Sequence, residues 1–308
     1  MLAIAVARFG GPEVLEPASA PDPVAAAVSL DDTVPVPDGL DPLLAAAMIH
    51  DGPTALRIVR LADVRPSEQV LVLGAAGGMG VLLVQLLRAS GARVIAAARG
   101  SAKVNAVGAA GADVVIDYGQ PGWTSLVLDA SDGSGPAVVL DGVGGQLGLD
   151  AYGIIADGGR FSAHGAPSGS FSAIDQDGAR RRNVRVTGLG DLQIRPGERA
   201  DLARQLLPEV VSGKIRPLIG QTFPLAEAAR AHALMEAREA IAKTLLISVL
   251  FRRTYSTGSL PGSAVTPRSR AAAEICRASS TSRELSPPTS CVDSRTTTLG
   301  YRRSTSGW

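Results

Sequence analysis

The sequence predicts an α/β fold built on a doubly wound, six-stranded parallel sheet. Three observations carry this reading. From Val70 the chain alternates short apolar runs with helix-forming runs, the pattern of parallel strands joined by helical crossovers. The first of these strands enters a glycine-dense turn, Gly74-Ala-Ala-Gly-Gly-Met-Gly80, and leaves it as the helix-forming run Val81-Leu-Leu-Val-Gln-Leu-Leu-Arg88. No apolar run reaches the ~18 residues of a membrane span, so the apolar residues are available for a core.

The elements follow in order. Residues 1–24 read as two short strands ending in a proline-spaced segment, Pro17 to Pro23. Residues 25–40 hold another short strand region and the turn Pro37-Asp-Gly39. Asp41-Pro42 is a helix start, with Asp as N-cap and Pro at the first helical position. That helix is expected to run to about His50, and a second to begin near Pro53. Strands are expected at 70–74, 93–98, 113–117, 137–141, 159–163 and 184–188, with helices between most of them. Helical patterns follow at 197–212 and 225–238, then a last strand at 243–248. Past Val249 the composition turns to Ser, Thr and Arg. Nine arginines stand against Glu274, Glu284 and Asp293, a charge of 9 − 3 = +6. Without sustained periodicity, residues 250–308 read as a disordered C-terminal tail.

The turn after the first sheet strand names a cofactor class. The dinucleotide fingerprint G-x-G-x-x-G reads here Ala75-x-Gly77-x-x-Gly80, with an extra glycine at Gly78. Gly77 lets the backbone approach a pyrophosphate, and Gly80 lets the new helix pack closely on its strand. The N–H groups opening the helix then face the anion, which makes Ala76, Gly77, Gly78, Met79 and Gly80 candidate contacts. A generic βα turn is the plain alternative.

The end of the second sheet strand selects among dinucleotides. An acid there would accept hydrogen bonds from the 2′-hydroxyl of NAD. The segment reads Ala98-Arg99-Gly-Ser101-Ala-Lys103, with no acid. Arg99, Ser101 and Lys103 suit a 2′-phosphate, so NADPH is the expected cofactor. Lys103 is one of only three lysines, with Lys214 and Lys243. Solvated surface charge is the competing reading of Arg99 and Lys103.

Composition narrows the rest. A net charge of +1 makes no case for nucleic acid or an anionic membrane. Residues 1–10 are too short and wrongly flanked for a signal peptide, so a cytoplasmic location is expected. The two cysteines, Cys276 and Cys291, exclude a Cys₄ zinc site and a disulfide framework, and no metal is expected. Tyr118, Tyr152, Tyr255 and Tyr301 are followed four residues later by Gly122, Ala156, Ser259 and Thr305. No Tyr-x-x-x-Lys pair of a short-chain dehydrogenase is therefore present.

A series of blocks runs through the chain, beginning with Phe9-Gly-Gly-Pro-Glu-Val-Leu15, Pro21-Asp-Pro23, Val36-Pro-Asp-Gly39 and Thr54-Ala-Leu56. It continues through the glycine turn, Gly111-Ala-Asp-Val-Val-Ile-Asp-Tyr118, Asp141-Gly-Val-Gly-Gly145 and Gly158-Gly-Arg160. It closes with Gly213-Lys-Ile-Arg-Pro217, the block from Phe223 to His232, and Lys243-Thr-Leu-Leu246. In these blocks the chain resembles the zinc-free medium-chain dehydrogenases/reductases of the quinone oxidoreductase (zeta-crystallin-like) family.

What the resemblance implies is NADPH-dependent hydride transfer to a quinone or another conjugated carbonyl compound. It places Arg99, Ser101, Lys103 and Tyr118 around the adenosine phosphate, and Tyr118 reads equally as a packing aromatic. It places Val143, Gly144, His164 and Gly165 near the nicotinamide. His164 is the one candidate general acid; a loop residue contributing backbone only is its alternative. The resemblance also implies a possible homodimer through the edge of the cofactor sheet, near 184–188.

The chain departs from the family between Pro23 and Ala25, where a GroES-like β lobe of roughly 90 residues, by usual domain sizes, is expected and missing. The organisation then reads as a truncated lobe remnant (1–50), a Rossmann NADPH-binding domain (51–190), a return segment packing on the remnant (191–249) and the tail (250–308). Exposed strand edges and apolar surface are expected where the lobe is missing. An NADPH-binding remnant with little turnover is therefore the alternative to an active reductase.

Overall fold

The computed structural model describes residues 2–6, 8, 10–20, 33–195 and 197–248. The junction at Pro23–Ala25 and the tail 250–308, its disorder included, lie outside the described residues.

The central sheet forms as the apolar runs predict. Its strands are β3 (Gln69–Leu73), β4 (Arg93–Ala98), β5 (Val114–Asp117), β6 (Val138–Asp141), β7 (Arg160–Ala163) and β8 (Arg185–Thr187). All pairings are parallel, in the order β5-β4-β3-β6-β7-β8. The order reverses between β3 and β6, which makes the crevice beyond their carboxyl ends the switch point where ligands bind in such sheets.

Alternation within the strands builds a core on each face. Val70 and Val72 face one cluster with Ile58, Leu82, Leu87 and Leu206. Leu71 and Leu73 face the other with Ile95, Val127, Val139 and Phe161. Both faces are covered, so these strands read as continuous apolar runs. Each fully buried Leu, Ile or Phe contributes about 1.5–3 kcal/mol.

Helices α2 (Gly78–Ala89), α3 (Ser101–Ala109), α4 (Trp123–Ala130), α5 (Gly145–Gly153) and α6 (Gln176–Arg181) make the crossovers. Before them comes α1 (Pro42–Ala62), capped by Asp41, whose carboxylate accepts from Leu43 N–H at 2.8 Å. The expected break at Pro53 does not occur: α1 is one helix of 21 residues with the proline inside. An interior proline costs about 3 kcal/mol. Tertiary packing offsets this: α1 lies against both α2 and α7 (Glu198–Val211), burying Met48, Ala55 and Ile58. The His50 carbonyl, in the disturbed turn, accepts from Thr54 Oγ1 at 3.0 Å and Arg199 at 3.4 Å.

The opening strands β1 (Leu2–Val6) and β2 (Leu15–Ser19) pair antiparallel. Residues 33–37 form no strand, and the described part of 25–40 holds only the turn that closes with Leu40 N–H on the Pro37 carbonyl. Helix α8 (Ala228–Glu236) packs on the β1–β2 hairpin. One strand has no counterpart in the sequence reading: β9 (Ile219–Pro224), which pairs parallel with β10 (Lys243–Ile247). The return segment therefore meets the hairpin through α8, α1 through α7 and the glycine turn through β10. Leu2, Val6 and Leu246 are exposed. Among the described residues no helix is long and apolar enough to cross a membrane.

Candidate functional site

At the switch point lies a cleft of about 570 Å³. Gly74, Ala76, Gly77 and Gly78 form its floor, Arg99, Lys103 and Tyr118 one end, and Gly142, Val143, Leu147, Pro167 and Ser168 the other. Met235, Arg238, Ala240 and Ala242 close it from the return segment.

The glycines of the turn divide by cause. A Cβ on Gly80 would stand 2.4 Å from the Gly74 carbonyl oxygen and 2.7 Å from Ala75 backbone atoms, so packing of α2 on the turn excludes any side chain. Gly77 is different. A Cβ there would meet only the Gly74 oxygen at 3.4 Å, and its φ of −76° is open to any residue. Nothing in the protein demands glycine at 77; the free space belongs to the cleft. The left-handed position of the turn is Gly74, φ +69°, which explains why alanine is accepted at Ala75. The N–H groups of Gly78, Met79 and Gly80 open α2 and lack intrahelical partners.

The polar end gathers more positive charge than the sequence reading found. Arg99 stacks 5.7 Å from the Tyr118 ring centre. Tyr118 also meets Trp123 edge-on at 6.5 Å, so it is both a packing aromatic and a cleft wall. Lys103 Nζ donates to the Arg238 carbonyl at 2.5 Å. Among the described residues, Arg99, Lys103 and Arg238 make no ion pair with a carboxylate. Burial, then the Arg238 and Arg99 charges, hold the Lys103 ammonium below the ordinary lysine range. Burial raises the Tyr118 hydroxyl above its ordinary value, against the pull of Arg99 and Arg238. An anion among these groups would relieve the crowding.

Asp117, which the sequence reading passed over, sits beside this end. Its Oδ1 accepts from Gly100 N–H (3.0 Å) and Gly119 N–H (2.8 Å). These bonds, Gly100 first, hold its carboxyl below the usual range. Asp117 thus ties down the loops carrying Arg99 and Tyr118. Arg238 was missed because its wall comes from chain 135 residues away from Lys103, and no local pattern marks it. It ends α8 in a left-handed conformation, φ +62°. Ser101 is exposed at the start of α3 and does not line the cleft.

The other end is organised by a buried carboxylate. Asp141 accepts from Val143 N–H (2.9 Å), Gly144 N–H (2.8 Å) and Ser172 Oγ (2.6 Å). Val143 reaches the cleft. Gly144 and Gly165 serve a crossing of backbones instead. A Cβ on Gly144 would fall 2.2 Å from the Ser170 oxygen, and one on Gly165 2.3 Å from the Gly142 oxygen.

His164 does not line the cleft either. It is 9 % exposed, its Nδ1 lies 3.4 Å from Ser162 Oγ, and its Nε2 lies toward the backbone of Gly142. Burial pulls its pKa down to about 4 from 6.5, against the opposing Asp141 charge and Ser162 hydrogen bond. The ring is neutral at pH 7, which fits the backbone-only reading better than a general acid. Unfolding frees a ring that takes up a proton near pH 6.5. The unfolded chain therefore binds more protons between pH 6.5 and about 4, and stability drops as pH falls through that window. The drop is expected to total about 3 kcal/mol and to shrink by most of that in His164→Asn, as read by urea unfolding at pH 7 and pH 4.5.

Among the described residues no group of three or more His, Cys, Asp or Glu side chains is placed to hold a metal ion.

The comparisons with known proteins point to one family. The family described as zinc-binding dehydrogenase matches residues 110–246. A quinone oxidoreductase of Pseudomonas aeruginosa is 31 % identical over 218 residues, 70 % of this chain and 67 % of that one. The chain spans 59–69 % of the length of the quinone oxidoreductases it matches. Among solved structures, a mycobacterial protein complexed with NADPH superposes with a TM-score of 0.73 at 26 % identity, covering 80 % of this chain and 100 % of that one. The Escherichia coli quinone oxidoreductase complexed with NADPH gives 0.66 at 26 % identity, covering 70 % and 69 %.

Proposed function

The chain belongs to the quinone oxidoreductase family of medium-chain dehydrogenases/reductases, and on that premise we propose that it is an NADPH-dependent oxidoreductase acting on a quinone or another conjugated carbonyl compound. The observation that carries the proposal is the trio Arg99, Lys103 and Arg238, which among the described residues form no ion pair with a carboxylate, at one end of a cleft whose floor is a glycine turn. The residues fit the cofactor. Gly77 leaves room that no protein atom needs, and the start of α2 presents N–H groups to a pyrophosphate. The three cations suit a 2′-phosphate, with Tyr118 as the flat wall beside them. Gly142, Val143, Leu147 and Pro167 offer an apolar seat to the nicotinamide, which supplies the hydride when bound.

The chain's own part is to hold, orient and exclude water. Among the described residues no imidazole or carboxyl lines the Val143 end of the cleft. That favours an electron-poor acceptor, whose reduced anion is stable enough to take its proton from water. Beside it we propose a cytoplasmic location and a homodimer through β8, the end strand of the sheet among the described residues.

The span of the chain relative to its relatives favours a second reading, in which the cleft holds NADPH without turnover. One experiment separates the two. Purified chain is mixed with NADPH and 1,4-benzoquinone, and loss of NADPH absorbance is followed beside a binding titration. Binding with consumption is the expected result. Binding without consumption selects the second reading, and absence of binding rejects both.

A further inference from the structure

A salt bridge outside the cleft walls stands beside the glycine turn. Asp51, on α1, and Lys243, the first residue of β10, pair at 2.9 Å with side-chain exposures of 14 % and 27 %. A Cβ on Gly78 would stand 2.7 Å from Asp51 Oδ2 and 3.2 Å from Lys243 Cδ. The carboxylate therefore abuts the first residue of α2, where the helix presents its positive end. That is the end at which a bound pyrophosphate would be held. Asp51 is thus a resident negative charge beside the place the ligand's charge would occupy.

The backbone around Lys243 fixes it there. Ala242 N–H donates to the Ala76 carbonyl at 2.7 Å, and Ala242 bridges to Gly77. Ala242 itself holds a left-handed conformation, φ +55°, unfavourable for alanine. Lys243 N–H then donates to Leu218, which begins the pairing of β10 with β9. Strand β10 is strapped to the turn, and its first side chain is delivered to Asp51.

We propose that Lys243 is a positioning residue that shields the anion-binding turn from Asp51. Its ammonium cancels a carboxylate that would otherwise repel a dinucleotide pyrophosphate. The proposal rests on the dinucleotide reading of the cleft. It concerns the part common to NADPH and NADH, so it is separable from the selection made by Arg99, Lys103 and Arg238.

The sign of two substitutions tests it. Asp51→Asn is nearly isosteric and leaves the cation alone beside the turn; it is expected to tighten NADPH and NADH binding alike, by about threefold or more at low salt. Lys243→Met exposes the carboxylate and is expected to weaken both by about tenfold, with their ratio unchanged. Adding Asp51→Asn to Lys243→Met is expected to restore most of the affinity. A pair that served only as a brace would give the opposite pattern: Asp51→Asn would weaken binding and the double variant would stay weak. Either result overturns the proposal, as does a Lys243→Met protein that binds both cofactors normally. If Lys243→Met does not fold, Asp51→Asn alone decides by the direction of its effect. Loss of binding by the unmodified chain would instead reject the dinucleotide reading, and the shield with it.

Discussion

Replacing Arg99 with aspartate is expected to weaken NADPH binding by about 100-fold and NADH binding far less. The substitution removes one of three cations at the polar end of the cleft and sets a carboxylate where a 2′-phosphate would sit. A charge-assisted hydrogen bond is worth about 1.5–3 kcal/mol, and about 1.4 kcal/mol is a tenfold change. Loss of the bond and gain of repulsion together reach two decades. The Arg99 stacking on Tyr118 goes too, but that contact serves either cofactor and adds about 0.5–1 kcal/mol at such a site. Titration of the variant with both cofactors reads the difference. An equal loss for both would remove the 2′-phosphate assignment.

Gly80→Ala is expected to have the largest effect on the protein itself. Helix propensity alone predicts a gain of about 1 kcal/mol. The structure predicts the reverse, because the new methyl would stand 2.4 Å from the Gly74 oxygen and 2.7 Å from the Ala75 carbonyl carbon and oxygen. These are backbone atoms at the end of a central strand and cannot swing aside. The helix must lift from the sheet, at a cost of about 3 kcal/mol. Urea unfolding should show that loss, with cofactor binding abolished. Gly77→Ala provides the contrast: its methyl meets one protein atom at an ordinary distance, so the variant should fold normally and still lose the cofactor.

These glycines also show how far local sequence reaches. The strand–turn–helix unit was legible because its rules are short-range: apolar alternation, a close helix approach at Gly80, open backbone at Gly77. The same holds for the six strands, each within a residue or so of its expected bounds. Long-range packing was not legible. Pro53 reads as a break, yet α1 continues through it because α2 and α7 hold both halves. Strand β9 mixes Gly, Gln and Thr with apolar residues, and only its pairing with β10 makes it a strand. Ala75 stands where the fingerprint has its first glycine, while the left-handed conformation falls on Gly74.

The site divides in the same way. Arg99, Tyr118 and Val143 lie within two residues of strand ends, Lys103 in the first turn of α3, and all four fall on the cleft. Arg238 and Lys243 come from chain that returns after a long excursion, Lys243 meeting Asp51 across 192 residues, so no spacing rule reaches them. His164 follows its strand correctly but turns inward, because Asp141 draws its loop down: the Asp141 carbonyl accepts from both His164 and Gly165 N–H. Direction of a side chain at a strand end depends on the loop's hydrogen bonds, and those are set by a residue on another strand.

The role proposed for the polar end of this cleft is to hold a 2′-phosphate. Calorimetric titration of the unmodified chain with NADPH and with NADH, at one low ionic strength, tests it most directly. NADPH is expected to bind about 100-fold or more tighter than NADH. Equal affinities, or a preference for NADH, would contradict it.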